Sequence, residues 1–196
     1  MAEIKSTMDL VMERAAKFGK ASSDDLYRDE AHKKGMQLTV AYLDGSQSSL
    51  TEMLDNEKGA NQDEVRSGMI ESLMRNIFLP RDEMQQERTE RAARGLIELS
   101  GGAGDVVTIC QEMQQILAGY SQHREQLRGQ LEEQIKMQYE QLLAQQGGAQ
   151  AEGMKIDPTL QPKFLEEWGR IEAELTSKYN EAIDQHKKQL GQRLGI

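Results

Sequence analysis

"FLEEWGRIEAELTSKYNEAIDQHKKQL", residues 164–190, decides the fold. Its larger or semi-polar residues Phe164, Trp168, Ile171, Leu175, Tyr179, Ala182, His186 and Leu190 recur at steps of four, three, four, four, three, four and four. Those steps place all eight on one face of an α-helix, where residues three and four apart are neighbours. Phe164, Leu175 and His186 are eleven apart, as are Trp168, Tyr179 and Leu190. Eleven residues over three turns is about 3.67 per turn, so the stripe runs nearly straight along the helix. A straight stripe of this length calls for a long partner helix beside it.

The partner lies upstream. From Asp105 to about Gln146 there is no proline, and only Gly119 and Gly129 interrupt strong helix formers. At about 1.5 Å per residue this run predicts a rod of roughly 60 Å. Val106, Cys110, Met113, Leu117 and Tyr120 keep heptad spacing, and Leu127, Leu131, Ile135, Tyr139 and Leu142 continue mostly in steps of four. Tyr120, Leu131 and Leu142 repeat the eleven-residue interval. "GGAQAEGMKIDP", residues 147–158, predicts a flexible turn, and "TLQPKF" launches the last helix. Residues 105–146 and 159–194 are therefore expected to form a long helical hairpin, within one chain or between subunits. Its seam, and any interface built on it, would use Leu127, Leu131, Ile135, Leu142, Phe164, Trp168, Ile171, Leu175, Tyr179 and Leu190. The plainer alternative is one helix packing on an ordinary bundle.

Residues 1–100 read as several shorter helices. Ile4, Met8, Val11, Ala15 and Phe18 make one stripe, with Gly19 near its end. Ser22 or Ser23 is a candidate N-cap with Asp24 and Asp25 behind it, favourably placed against the helix dipole. The next helix runs to "YLDG", with Tyr27, Ala31, Leu38 and Tyr42 on one face and Gly45 as its stop. Ser49 and Glu52 have capping-box spacing before Leu50, Met53 and Leu54. Asn61 repeats that signature before Val65, Met69, Leu73 and Ile77. Pro80 ends one helix, and Arg81 to Leu99 forms another with Met84, Ala92, Leu96 and Leu99 as its apolar points. "SGGAG", residues 100–104, is the clearest break and the expected boundary between a short-helix region and the hairpin. The fold class is all-α.

Composition agrees. Leu, Ile, Val and Phe make up 39 of the 196 residues, about a fifth, which suits long helices burying a narrow stripe better than a sphere. Scarce β-branched and aromatic residues argue against a sheet. A net charge of −9 argues against non-specific nucleic-acid binding and against docking on anionic membranes. The opening "MAEIKSTMDLVMERAAKFGK" has no apolar core of a secretory signal, and no window approaches 18 uninterrupted apolar residues. A single cysteine, Cys110, makes no internal disulfide. The expectation is a soluble cytoplasmic protein.

Candidate chemistry is thin. "DEAH", residues 29–32, spells a helicase motif, but no phosphate loop of the form G-x-x-x-x-G-K-[ST] exists and the surroundings are helical. Asp29 and His32 have the spacing of one half of a di-metal carboxylate site, yet His123 and His186 have no carboxylate at that spacing. A solvated, salt-bridging His32 is the better reading. "GGAG", residues 101–104, has no strand before it and no lysine after it, so it reads as a hinge rather than an anion cradle. Cys110 on an apolar stripe reads as a packed thiol, and Trp168 as core or as an interface anchor. No catalytic, cofactor or metal set emerges, so an enzyme is not expected.

"MAEIKSTMDLVMER" and "KKGMQLTVAYLDG" together resemble an uncharacterised family of small bacterial proteins that begin MAEIKS. The resemblance covers residues 1–45 and implies a bacterial cytosolic protein with no assigned activity. The Gln- and Glu-rich helices of residues 105–194 are similar in their eleven-residue period to peripheral-stalk subunits of rotary ATPases and to flagellar export stators. Those proteins put the long helix first, whereas here the long helices come last. The leading expectation is a non-enzymatic interaction or scaffold protein that self-associates through its long helices, as a homo-oligomer or with a protein partner. A stalk-like subunit of a larger machine is the alternative, and a ligand- or metal-binding bundle using His32, His123 or His186 the third.

Overall fold

Helix signals and helix stops in the chain account for nearly every boundary of the computed structural model, which describes residues 23–57, 59, 61–145 and 157–196. Among these residues the chain forms six α-helices: α1 Ser23–Leu43, α2 Leu50–Asn56, α3 Gln62–Arg75, α4 Glu83–Leu99, α5 Gly104–Gln145 and α6 Pro162–Leu194. A 3₁₀ turn, Pro158–Leu160, precedes α6. No strand occurs among the described residues, and the all-α class stands. The stripe expected at Ile4–Phe18 and most of the turn at 147–158 lie outside them. By packing, the chain divides into two compact units, Met1–Leu73 and Met74–Ile196. The Gly-rich stretch at 100–104, expected as a boundary, instead joins two helices of the second unit.

In the first unit α1 and α3 touch backbone to backbone. A Cβ on Gly35 would lie 2.0 Å from the Val65 carbonyl oxygen, and one on Gly68 2.0 Å from that of His32. Only glycine permits that approach. Thr39, fully buried one turn after Gly35, donates its hydroxyl to the Gly35 carbonyl at 3.0 Å and so brings no unsatisfied polar atom inside. Val65, Met69, Ile70 and Leu73 of α3 are buried, as are Tyr42, Leu43 and Leu50. Of the α1 face expected from spacing, only Tyr42 is buried. Tyr27 is exposed, because the glycine crossing turns a different side of α1 inward. Ser49 caps α2 by accepting from the Glu52 N–H at 3.2 Å, as its spacing predicts.

The second unit opens with the irregular run around Pro80. Arg88 Nε donates to Asn76 Oδ1 at 2.8 Å, and Thr89 Oγ1 to the Asn76 carbonyl at 3.3 Å, tying this run to α4. Asp82 is the N-cap of α4, accepting from the Gln85 N–H at 2.8 Å. Ala92, Leu96 and Leu99 are buried as their spacing predicts, but Met84 is 80% exposed. It sits one residue inside the helix, on a turn that faces water. Gly101 and Gly102 take φ of 67° and 74°, the left-handed conformations that let α4 end and α5 begin within a few residues.

The helices α5 and α6 run antiparallel within the same chain. As the α5 partner advances from Asp105 to Glu112, Arg124 and Gln138, the α6 partner retreats from Arg193 to His186, Glu172 and Lys163. Near the base Val106, Cys110, Met113 and Leu117 are buried on α5, with Ile183, Leu190 and Leu194 buried on α6. Toward the tip Leu131, Ile135 and Phe164 form a second cluster, with Tyr139, Trp168 and Ile171 packed on it. The α6 C-terminus closes on Gly195 at φ 79°, whose N–H returns to the Gly191 carbonyl at 2.9 Å.

Candidate functional site

Ten residues are expected from spacing to bury the seam, and the arm uses most of them internally. Leu131, Ile135, Phe164, Leu175 and Leu190 are buried, and Leu127, Trp168, Ile171 and Tyr179 are half-buried. Leu142 departs from the expectation at 51% exposed. Lys163, in the first turn of α6, already reaches Gln138 at 2.6 Å, so Leu142 lies a further turn along α5 than the start of its partner.

Between the two apolar clusters the seam turns polar. Tyr120 and Thr176 hydroxyls meet at 3.2 Å, His123 Nδ1 and the Tyr179 hydroxyl at 2.9 Å, and Glu172 accepts from Arg124 Nε at 2.8 Å. The Arg124 guanidinium also lies 5.7 Å from the Trp168 ring centroid. Gly119 lies against Tyr179, and a Cβ there would meet its hydroxyl at an ordinary contact distance of 3.4 Å. The sequence showed the stripe but not these rungs, because each joins residues 48 or 56 apart.

Beside this midsection, between the start of α4 and α5, lie two adjoining cavities that share Pro80 and Gln86. The larger, about 370 Å³, is lined by Thr89 and Glu90 of α4 and by Gln114, Leu117 and Ala118 of α5. The smaller, about 290 Å³, is lined by Arg81, Asp82, Ser121, Arg124, Glu125 and Arg128. Its charges are largely offset. Arg124 is bound to Glu172 and Arg128 to Glu132 at 3.0 Å, and Arg81 shares the lining with the carboxylates Asp82 and Glu125.

The three histidines all make structural contacts. His32 Nε2 pairs with Glu71 at 2.7 Å, a partner on another helix rather than Asp29. His186 donates Nδ1–H to the Ala182 carbonyl at 2.8 Å, and its Nε2 lies 3.3 Å from Glu112. His123 holds Tyr179. Cys110 is fully buried, and desolvation pushes its thiol up to about 11. Burial also holds the Lys187 ammonium below the ordinary lysine range, partly opposed by Asp184. Among the described residues no group of three His, Cys, Asp or Glu is placed to hold a metal ion. No described helix is long and apolar enough to cross a membrane.

A protein-family model, that of the family of unknown function DUF6657, matches residues 51–192. The chain belongs to this family. The DUF6657 match runs from α2 into the last turn of α6, so it contains both walls of the groove and the polar rungs of the arm's midsection. Residues 1–45, which carry the MAEIKS resemblance, lie outside it. No curated protein and no solved structure matches the chain.

Proposed function

We propose that this DUF6657 protein is a non-enzymatic interaction protein of the bacterial cytoplasm, whose helical arm is a scaffold and whose α4–α5 groove receives a polypeptide segment. The observation that carries this reading is the chemistry of the groove walls. Leu117, Ala118 and Pro80 offer apolar surface, while Gln86 and Gln114 offer hydrogen-bonding groups. Arg124 and Arg128, already paired with glutamates, lack the uncompensated charge a phosphate backbone needs. A polypeptide, neutral along its backbone and amphipathic in its side chains, fits such walls best. The involvement of His32, His123 and His186 in structural pairs, and a protonated buried thiol, support the non-enzymatic part.

The test is capture of partners from native cells with the full chain, its Ala118→Arg variant, and a Gln134→Arg control on the far part of α5. A partner held by the wild type and the control but lost with Ala118→Arg supports the groove. Equal capture by all three sinks it. A second reading, self-association at the tip of the arm, is favoured by the exposure of Leu142, Leu160 and Leu165 toward the hairpin's end. Sedimentation over a concentration series separates the two, because tip association would respond to Leu160→Glu and not to Ala118→Arg.

A further inference from the structure

Glu172 of α6 pairs with Arg124 of α5, and Arg128, now paired with Glu132 of its own helix at 3.0 Å, stands one helical turn further toward the tip. Residues four apart lie on neighbouring parts of one helix face, so Arg128 offers a second arginine displaced by one turn. The apolar stripe cannot tell these two positions apart. Its residues recur every three or four along both helices, so sliding α6 by one turn again sets apolar side chains against apolar side chains. The slide would also carry Leu142, now 51% exposed, to the level where Gln138 meets Lys163, beside Phe164. What opposes it is the set of polar rungs. Tyr120–Thr176, His123–Tyr179 and Glu112–His186 align only in the observed register, and of the rungs only Glu172 finds a replacement after the slide.

We propose that the arm is a two-register device, in which Arg124 holds the observed register and Arg128 offers Glu172 the next one. Fixing register is the best-attested use of partly buried polar pairs in paired helices, and one-turn ratchets are an established form of helix movement. Arg124 and Arg128 both line the 290 Å³ cavity. An occupant that engaged the Arg124 guanidinium would release Glu172 and bias the arm toward the second register. The register choice itself does not rest on the groove's having an occupant.

The experiment places spin labels at Glu133→Cys on α5 and Ser177→Cys on α6, both exposed, with the buried Cys110 left in place. Sliding α6 one turn toward the tip shortens their separation by roughly 5 Å. The wild-type chain is expected to give one distance. Arg124→Leu is expected to add a second, shorter population, and Arg128→Leu, the same chemical change one turn away, to leave a single unshifted distance. The charge-swapped pair Arg124→Glu with Glu172→Arg restores the rung, while in the slid register it would set the new arginine on α6 against Arg128. It is therefore expected to give one unshifted distance. An Arg124→Leu variant that keeps the wild-type distance overturns the proposal, as does the shorter population appearing equally in the swapped pair. If Arg124→Leu does not fold, Arg124→Gln carries the same expectation and the same refutation.

Discussion

The carbonyl oxygen of His32 lies where a side chain on Gly68 would begin: a Cβ there would sit 2.0 Å from it. The obstruction is backbone, so no side-chain rotation relieves it. Gly68→Ala is expected to destabilise by about 3 kcal/mol, in the range of severe overpacking. Gly129 is the contrast. It too lies inside a helix, but nothing comes within 4 Å of its added Cβ, so Gly129→Ala is expected to stabilise by about 0.5–1 kcal/mol. Urea unfolding of both variants checks this. A neutral Gly68→Ala would show that α1 and α3 are not held in contact.

That crossing was invisible in the sequence, and the reason is physical. A glycine inside a helical pattern reads as a weak point, since its local effect is entropic, while its close-packing role depends on what arrives from elsewhere in the chain. The same holds for His32, whose neighbour by spacing is Asp29 but whose partner is Glu71. The arm was legible because its information is periodic and local. Val106 to Leu131 and Phe164 to Leu190 declare their faces without knowledge of a partner. Where α6 begins beside α5 was not declared, and Leu142 was misplaced in consequence. Ser49 was legible as a cap from its spacing to Glu52. Asp82 was hidden behind Pro80, which marked the break without marking which residue closes it.

The seam can be tested at its two extremes. Phe164 is buried against Leu131 and Ile135, so Phe164→Ala removes a large side chain and leaves a cavity, for an expected loss of about 3–5 kcal/mol. Leu142 carries the same stripe spacing but faces water, and Leu142→Ala is expected to change stability by under about 0.5 kcal/mol. Guanidinium melts of the two variants decide whether the tip cluster is where it is placed. Equal losses would mean that α6 extends further along α5.

The α4 cap gives a smaller, local effect. Asp82 accepts from the Gln85 N–H, and its charge lies at the positive end of the α4 dipole. Asp82→Ala is expected to cost about 0.5–2 kcal/mol, and Asp82→Asn, which keeps the acceptor, markedly less. Amide hydrogen exchange should show the loss concentrated in the first turn of α4, at Glu83 to Gln86. Uniform acceleration over α5 and α6 instead would contradict a local cap.

Cys110 ties burial to pH. Desolvation raises its thiol from the ordinary value of 9.0 to about 11, so the folded chain keeps a proton that the unfolded chain releases. Below pH 9 both states hold the proton and the contribution to stability is complete. Between pH 9 and 11 only the unfolded state gives it up, so stability falls as pH rises through that window. The wild type is therefore expected to lose stability with pH more steeply there than Cys110→Ala, whatever offset the deleted sulfur imposes at neutral pH. The same burial predicts that a thiol reagent at about pH 8 modifies Cys110 only at the rate at which the chain unfolds. Rapid modification of the native protein, or parallel pH slopes for the two chains, would show that the Cys110 side chain is open to water rather than packed on the seam with Val106 and Met113.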